Sequence, residues 1–312
     1  LGTGKFYLTH FAVIRKDRLS TKVRPVFNGA LKFGGKSLND AVLAGPKMIN
    51  DIVDVLQFFR REKVALSCDI KEMFLQVSMT PEDQAYHHFL WSKSGKIEEA
   101  EEYRWRKHIF GNAGSPCVAI YSIKEWARRR ADIYPLAAFV VENATIVDDN
   151  LISVETVAEA KETIQQLKKL YAEIGMDIAK FMSSHPDVLS ELPEDERAPT
   201  MDLADLQEAT MTAPAVKALG IYYSAADDAF SFRKDLPEKM TVWTMRKLLS
   251  FYATLFDPLG FISPVVIQAR IHFQKLWPRG YGWDEEIPAK EVEDWMKWLE
   301  SLPALSQLSI PR

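Results

Sequence analysis

Three aspartates, Asp69, Asp148 and Asp149, constrain this chain more than any other feature, because each stands at the end of a strand-sized apolar run. Val64 to Cys68 is short and apolar and stops at Asp69. Ala137 to Val141 and Thr145 to Val147 read as strands around a tight connection, with Leu151-Ile152 on the return, so Asp148-Asp149 falls at a hairpin tip. Carboxylates so placed are held on a rigid sheet edge, near solvent and substrate. They suit two bridged Mg2+ ions working in phosphoryl transfer. The Asp-Asp pair alone is weak evidence, since 20 Asp in 312 residues give one such pair by chance. A second pair, Asp227-Asp228, sits in a turn context and reads as a loop.

Around these residues the pattern alternates between strands and helices. Val23 to Phe27 has strand character, with Pro25 marking an edge, and Gly34-Gly35 marks a turn. Tyr86 to Trp91 reads as a strand before a polar hairpin tip at Ser94 to Glu102. Helices are predicted over Asp51 to Arg60, from Ser115-Pro116 to Arg130, and over Glu155 to Ile174, where Gly175 supplies the C-terminal stop. Ala218 to Tyr223 reads as a strand. From Thr241 onward the chain is mostly helical, with two helices flanking Asp257-Pro258-Leu259-Gly260 and a Trp-rich end (Trp277, Trp283, Trp295, Trp298). The fold class is α+β.

With 47% hydrophobic residues in 312, the chain has enough apolar surface for two or three subdomains. No apolar run approaches the roughly 20 residues of a membrane span. The chain opens at Leu1 with no signal peptide and reads as a piece of a longer polypeptide. Cys68 and Cys117 are far apart and have no metal-binding partners, as expected of two small buried thiols in a reducing compartment. A net charge of −4 is unexpected for a nucleic-acid binder. However, Pro186 to Thr210 carries eight acidic residues against one basic, Arg197, and leaves the remainder at +3. That acidic stretch reads as a solvated loop or insertion. His10, His87 and His88 lack ligand spacing and read as structural or surface residues.

Three motifs in order add a family resemblance. Cys68-Asp69-Ile70-Lys71-Glu72-Met73-Phe74 resembles the first catalytic motif of reverse transcriptases. Phe110-Gly111-Asn112-Ala113-Gly114-Ser115-Pro116 resembles their Ser-Pro motif that opens a palm helix. Ile146-Val147-Asp148-Asp149 resembles their aromatic-x-Asp-Asp motif. Tyr7-Leu8-Thr9-His10, Lys22 to Asn28, Ser37-Leu38-Asn39-Asp40, Gly45-Pro46 and Asp257 to Pro264 extend the likeness over essentially the whole chain. They make it similar to the BEL/Pao group of LTR retrotransposons. Ile146 departs from the usual aromatic residue, and Asn28 stands where related elements have Asp.

The resemblance implies a right-hand polymerase. Fingers would span 1–46 and 81–112, and a palm with an antiparallel sheet would span 47–80 and 113–234, with the acidic insertion at 186–210. A helical thumb would span 235–312. It implies an RNA- or DNA-directed DNA polymerase adding dNTP to a primer 3′-hydroxyl, in cytoplasmic particles of the element, with no membrane partner. Asp69, Asp148, Asp149 and the backbone carbonyl of Ile70 would hold two Mg2+ ions, or Mn2+. Lys180 would protonate the leaving pyrophosphate. Lys22, Arg24, Phe74, Gly111, Gly114 and Ser115 would line the dNTP site, with Phe74 rejecting a ribose 2′-hydroxyl. Pro116, Leu219, Gly220, Arg246, Lys247, Arg270 and Lys275 would contact nucleic acid. From pattern alone, Phe74 reads as a core residue and Lys22 and Arg24 as solvated strand cations. A ribonuclease H region is expected to lie outside the chain. The alternatives are a catalytically silent nucleic-acid-binding polymerase fold, a metal-dependent nuclease using the same carboxylates, and an RNA-synthesising polymerase.

Overall fold

A computed structural model of the chain describes residues 4–14, 23–198, 215–218, 221–232 and 242–312, with only the backbone of Arg24 and of 215–218. Lys22, Leu219 and Gly220 lie outside the described residues.

The chain opens with an antiparallel ribbon, β1 (His10–Ile14) and β2 (Val23–Phe27), in which Pro25 faces Ala12. This is a place that tolerates a missing donor. Two helices follow, α1 (Leu38–Ala41) and α2 (Ile52–Arg61). Strand β3 (Val64–Ile70) leads into α3 (Met73–Gln76) and α4 (Pro81–Gln84). A second ribbon pairs β4 (His88–Trp91) with β5 (Glu101–Arg104). Next come α5 (Ser115–Arg129), with Pro116 in its first turn, and α6 (Pro135–Asn143). The hairpin β6 (Thr145–Ile146) and β7 (Asp149–Val154) precedes α7 (Val157–Ala172), β8 (Ile178–Ser183) and α8 (Pro186–Leu189). The C-terminal third holds β9 (Ala215–Ala218), β10 (Ile221–Ser224), β11 (Ala229–Ser231), α9 (Met245–Tyr252), α10 (Ser263–Leu276), α11 (Glu293–Ser301) and β12 (Ser309–Pro311). The four-stranded sheets have the orders β6-β7-β3-β8 and β12-β11-β10-β9.

Two compact units emerge, one of residues 1–51, 68–150 and 161–179, the other of 52–67, 151–160 and 180–312. In the first, Leu8, Phe27, Leu38 and Ile109 form a small core, with Phe27 edge-on to Phe89 and Trp105 at 5.1 and 5.4 Å. The second is built on Trp243, Leu248, Phe251, Trp295, Trp298 and Leu302. No helix among the described residues is long and apolar enough to cross a membrane.

Three expectations are corrected. Ala137 to Val141 is not a strand but lies inside α6. Pro135 opens that helix, and Ala137, Val140 and Val141 are buried at helical spacing. A short apolar run bounded by a proline leaves period two and period 3.6 unresolved, and length arbitrates poorly. The strand expected over Ala218 to Tyr223 is instead two antiparallel strands, β9 and β10, with Ala218 facing Ile221. The acidic stretch is not wholly solvated. Val188 and Leu192 are buried, and Arg197 donates to the Leu192 carbonyl at 2.6 and 3.0 Å. Residues 199–210 lie outside the described residues.

Candidate metal centre

The three aspartates converge. One carboxylate oxygen from each of Asp69, Asp148 and Asp149 lies within 4.8 Å of the others. Strand alternation aims Asp69. Cys68 and Ile70 are buried on one face of β3, which leaves Ser67 and Asp69 on the more open one. The hairpin aims the other two. Ile146 pairs with Asp149, so Val147 and Asp148 form a two-residue turn. The Asp148 carbonyl accepts the Ile70 N–H at 2.7 Å and stitches the turn to the end of β3.

Val147 has φ +55, while Asp148 stays at negative φ. In a two-residue hairpin this pattern is the one that Gly ordinarily fills at the first position. For a β-branched residue it is strained, by about 1–3 kcal/mol. The Val147 side chain lines a small crevice with Ile49, Ile120, Ile123 and Val141, and that apolar contact offsets part of the strain.

Beneath the carboxylates runs a polar network that sequence reasoning missed. Asn150 is buried one residue after Asp149. Its Oδ1 accepts from the Thr145 hydroxyl at 2.8 Å and from the Tyr171 hydroxyl at 3.0 Å, and its Nδ2 reaches the Cys68 carbonyl at 3.5 Å. Burial pushes the Tyr171 phenol far up, so it stays a neutral donor. Burial, then the charges of Asp69 and Asp149, push the Cys68 thiol up, and it remains protonated and inert. On the other side Asn50 donates to the Thr145 carbonyl at 2.9 Å while accepting from the buried Lys124 at 2.7 Å. The signal available in the sequence was an Asn directly after the Asp pair, ahead of the apolar Leu151-Ile152.

All the donors are hard oxygens, two half-buried and one exposed, and they fit Mg2+ or Mn2+ better than a softer ion. The carbonyl-bearing residue, Ile70, ends β3 beside Asp69. Both cysteines are free, Cys68 buried and Cys117 half-buried, and neither joins this group.

The other predicted residues fall as follows. Phe74 is half-buried in α3, edge-on to Phe110 at 5.0 Å. Gly111 has φ +98, and any Cβ there would collide with the Phe27 carbonyl. Gly114 precedes α5 in a buried position against Val42 and Leu43. Ser115 is buried, donating to the Ile109 carbonyl at 2.9 Å and facing His108 Nδ1 at 3.2 Å, so it shapes the loop from within. Asn28 Oδ1 accepts the Ala30 N–H at 3.1 Å in a local turn. Lys180 belongs to the second unit, exposed on β8 with φ +57.

Also in the second unit, Arg246 is exposed but forked onto Asp284 at 2.7 and 2.9 Å and lies over Trp283. The Lys247 ammonium donates to the Val242 carbonyl at 3.0 Å, Arg270 to the Tyr252 hydroxyl, and Lys275 is exposed near the end of α10. The histidine expectation agrees with the geometry. His87 is fixed between the Asp83 carbonyl and Asn112, and His88 binds Glu102 at 2.5 Å.

Residues 244–312 match the family model of a Pao retrotransposon-like RNaseH-like domain. This overturns the expectation that ribonuclease H-like sequence lies outside the chain. No curated protein sequence matches. Among solved structures the chain is similar to a foamy viral protease-reverse transcriptase (dRH) in complex with double-stranded DNA. Identity there is 15%, the TM-score is 0.62, and the match covers 97% of this chain and 44% of that one. A foamy viral protease-reverse transcriptase with an RNA/DNA hybrid matches at 15% identity and TM-score 0.59, covering 99% and 34%. Another with double-stranded DNA matches at 16% and 0.59, covering 99% and 54%. The chain therefore spans between about a third and about half of those proteins. At such identities the likeness carries the fold, which is mixed α and β. The retrotransposon likeness itself is confined to residues 244–312.

Proposed function

We propose that Asp69, Asp148 and Asp149 form a divalent-metal centre for phosphoryl transfer on nucleic acid, and that the reaction is templated DNA synthesis. The observation that carries this is the convergence of one strand-end carboxylate with two at a strained hairpin turn, within 4.8 Å. Bound divalent cations would lower the pKa of an attacking hydroxyl and neutralise charge on the phosphates. The protein's own part is positioning. Asp69 and Asp148 hold the principal coordinating oxygens, Asp149 adds a third carboxylate, and the Ile70 carbonyl completes the set. Lys22, Arg24, Gly111, Gly114 and Ser115 would shape a dNTP site with Phe74 as its sugar gate, and Lys180 would act as the general acid. Pro116, Leu219, Gly220, Arg246, Lys247, Arg270 and Lys275 would face template and primer. The fingers, palm and thumb division belongs to this reading. Relatives in fold bind double-stranded DNA or RNA/DNA hybrid, which supports a nucleic-acid partner.

The matched family's description speaks for the other reading, a metal-dependent nuclease. Set against it is where the carboxylates lie. None of the three is in residues 244–312, and among the described residues no other group of three metal-ligating side chains comes together.

Primer extension on an RNA template with dNTP and Mg2+, with Asp148→Asn beside the unchanged chain, separates the readings. Synthesis by the unchanged chain that the variant loses is the expected result. Cleavage of the hybrid's RNA strand without added dNTP, lost in the same variant, would establish the nuclease instead. Extension by both chains would mean that the metal ligands are assigned wrongly.

A further inference from the structure

Phe110 and Phe74 meet edge to face, with ring centroids 5.0 Å apart and planes at 77°. Phe110 is 40% exposed, so burial alone does not account for an aromatic ring there. The backbone that follows it is pinned from two sides. Gly111 lies directly on the end of β2: a Cβ on Gly111 would collide with the Phe27 carbonyl, and a Cβ on Gly29 with the Gly111 carbonyl.

Asn39 bridges the same place. Its Nδ2 donates to the Gly111 carbonyl at 3.0 Å, its Oδ1 accepts the Ala113 N–H at 3.0 Å, and its own N–H donates to Gly29 at 2.9 Å. A flipped amide would set donor against donor and acceptor against acceptor, so the orientation is fixed. Asn39 is itself held at the start of α1, where Ser37 and Asp40 cap each other reciprocally. From the opposite side Asn112 accepts the Gly114 N–H at 2.8 Å and meets His87 Nε2 at 2.6 Å.

We infer that Asn39 is a positioning residue for nucleotide sugar selection: by clamping Gly111 and Ala113 it holds Phe110 against Phe74. The two rings together, rather than Phe74 alone, form the wall that a ribose 2′-hydroxyl meets. A single ring at the gate would yield by a rotation about χ1, and the edge-to-face partner opposes that rotation. The inference rests on the polymerase reading.

The test measures kcat/KM for a dNTP and for the matching rNTP on one primed template. It compares the unchanged chain, Phe110→Leu, Asn39→Ala and the double variant. An aromatic pair of this kind contributes about a 3- to 10-fold preference. The dNTP-over-rNTP ratio falls by that factor in each single variant and no further in the double, because both act through one wall. A residue needed only for folding would lower both substrates together and leave the ratio alone. A ratio unchanged in both singles, or additive losses in the double, overturns the inference while dNTP extension by the unchanged chain upholds the polymerase reading. If the unchanged chain adds no dNTP, that reading fails and the inference falls with it. Should Asn39→Ala not fold, Asn39→Asp, which keeps the acceptor for the Ala113 N–H and loses the donor to the Gly111 carbonyl, takes its place: a lowered ratio supports the inference and an unchanged one overturns it.

Discussion

The carboxylate hairpin and the C-terminal segment solve the problem of holding a shape by different means. Around Asp148 and Asp149 the hairpin stands on directional bonds: Asn150 to Tyr171, Thr145 and Cys68, and Asn50 to Thr145 and Lys124. Residues 244–312 stand on apolar bulk. Trp295 is fully buried, 4.6 Å from Trp298 and 5.7 Å from Trp243, within a core of Leu248, Phe251 and Leu302. Burial is insensitive to small rotations, whereas a hydrogen bond weakens steeply with angle. The region that must place three charged oxygens uses the directional device. The other uses the stronger but less exacting one.

The largest effect is expected in the aromatic core. Trp295→Ala should lower unfolding free energy by about 3–5 kcal/mol, read by urea denaturation, because the cavity left in such a core collapses only in part. A loss below about 1 kcal/mol would show that the core is not what holds this segment.

Next comes Arg312. Its guanidinium is almost wholly buried, forked onto Asp228 at 2.6 and 2.9 Å and donating to the carbonyls of Phe59, Glu62 and Lys63. It is a strongly directional joint within the described C-terminal segment. Arg312→Ala should cost about 3 kcal/mol, near the low end for a broken buried pair because Asp228 is partly exposed. Thermal melting against Arg312→Lys checks it, since Lys cannot reproduce the fork.

Asn150→Leu sharpens the comparison from the side of the site. It should cost about 1–3 kcal/mol in stability. Activity should fall by about 10- to 100-fold, because groups behind metal ligands set their aim. A metal titration that shows unchanged affinity and rate would refute the network's role.

The smallest expected effect is the pH dependence. Burial lowers the pKa of His87 and His108 in the first unit and of His272 in the C-terminal core. As pH falls below the ordinary value of about 6.5, the unfolded chain takes up these protons first. Their neutral, folded form is thus fully favoured above that value, and stability is lost as pH drops from there toward the lowered folded values. The urea midpoint should be lower at pH 5.5 than at pH 7.5, and His272→Phe should remove only the part of the slope that belongs to the C-terminal core. For His87 burial outweighs the Asp83 carbonyl that its Nδ1 meets, a contact that by itself favours the protonated ring.

The sequence by itself determined much of this protein. Apolar runs ending in Asp, a Pro near the first turn of α5 and a Gly after α7 are local signals, and local backbone preference obeys them. The three carboxylates were legible as a group because strand ends and a two-residue turn are short-range features. What only the tertiary structure decided depends on residues distant in the chain. Ala137 to Val141 became a helix because neighbouring elements bury one of its faces, which period alone does not reveal. Val147 keeps a positive φ because Ile49, Ile120 and Val141 surround it. Asn39, Asn50, Asn150 and Lys124 are plain polar residues in sequence. They acquire meaning only where folding puts a carbonyl or an amide from far along the chain within 3 Å or so, since the strength of a hydrogen bond is set by a distance and an angle that no spacing in sequence encodes.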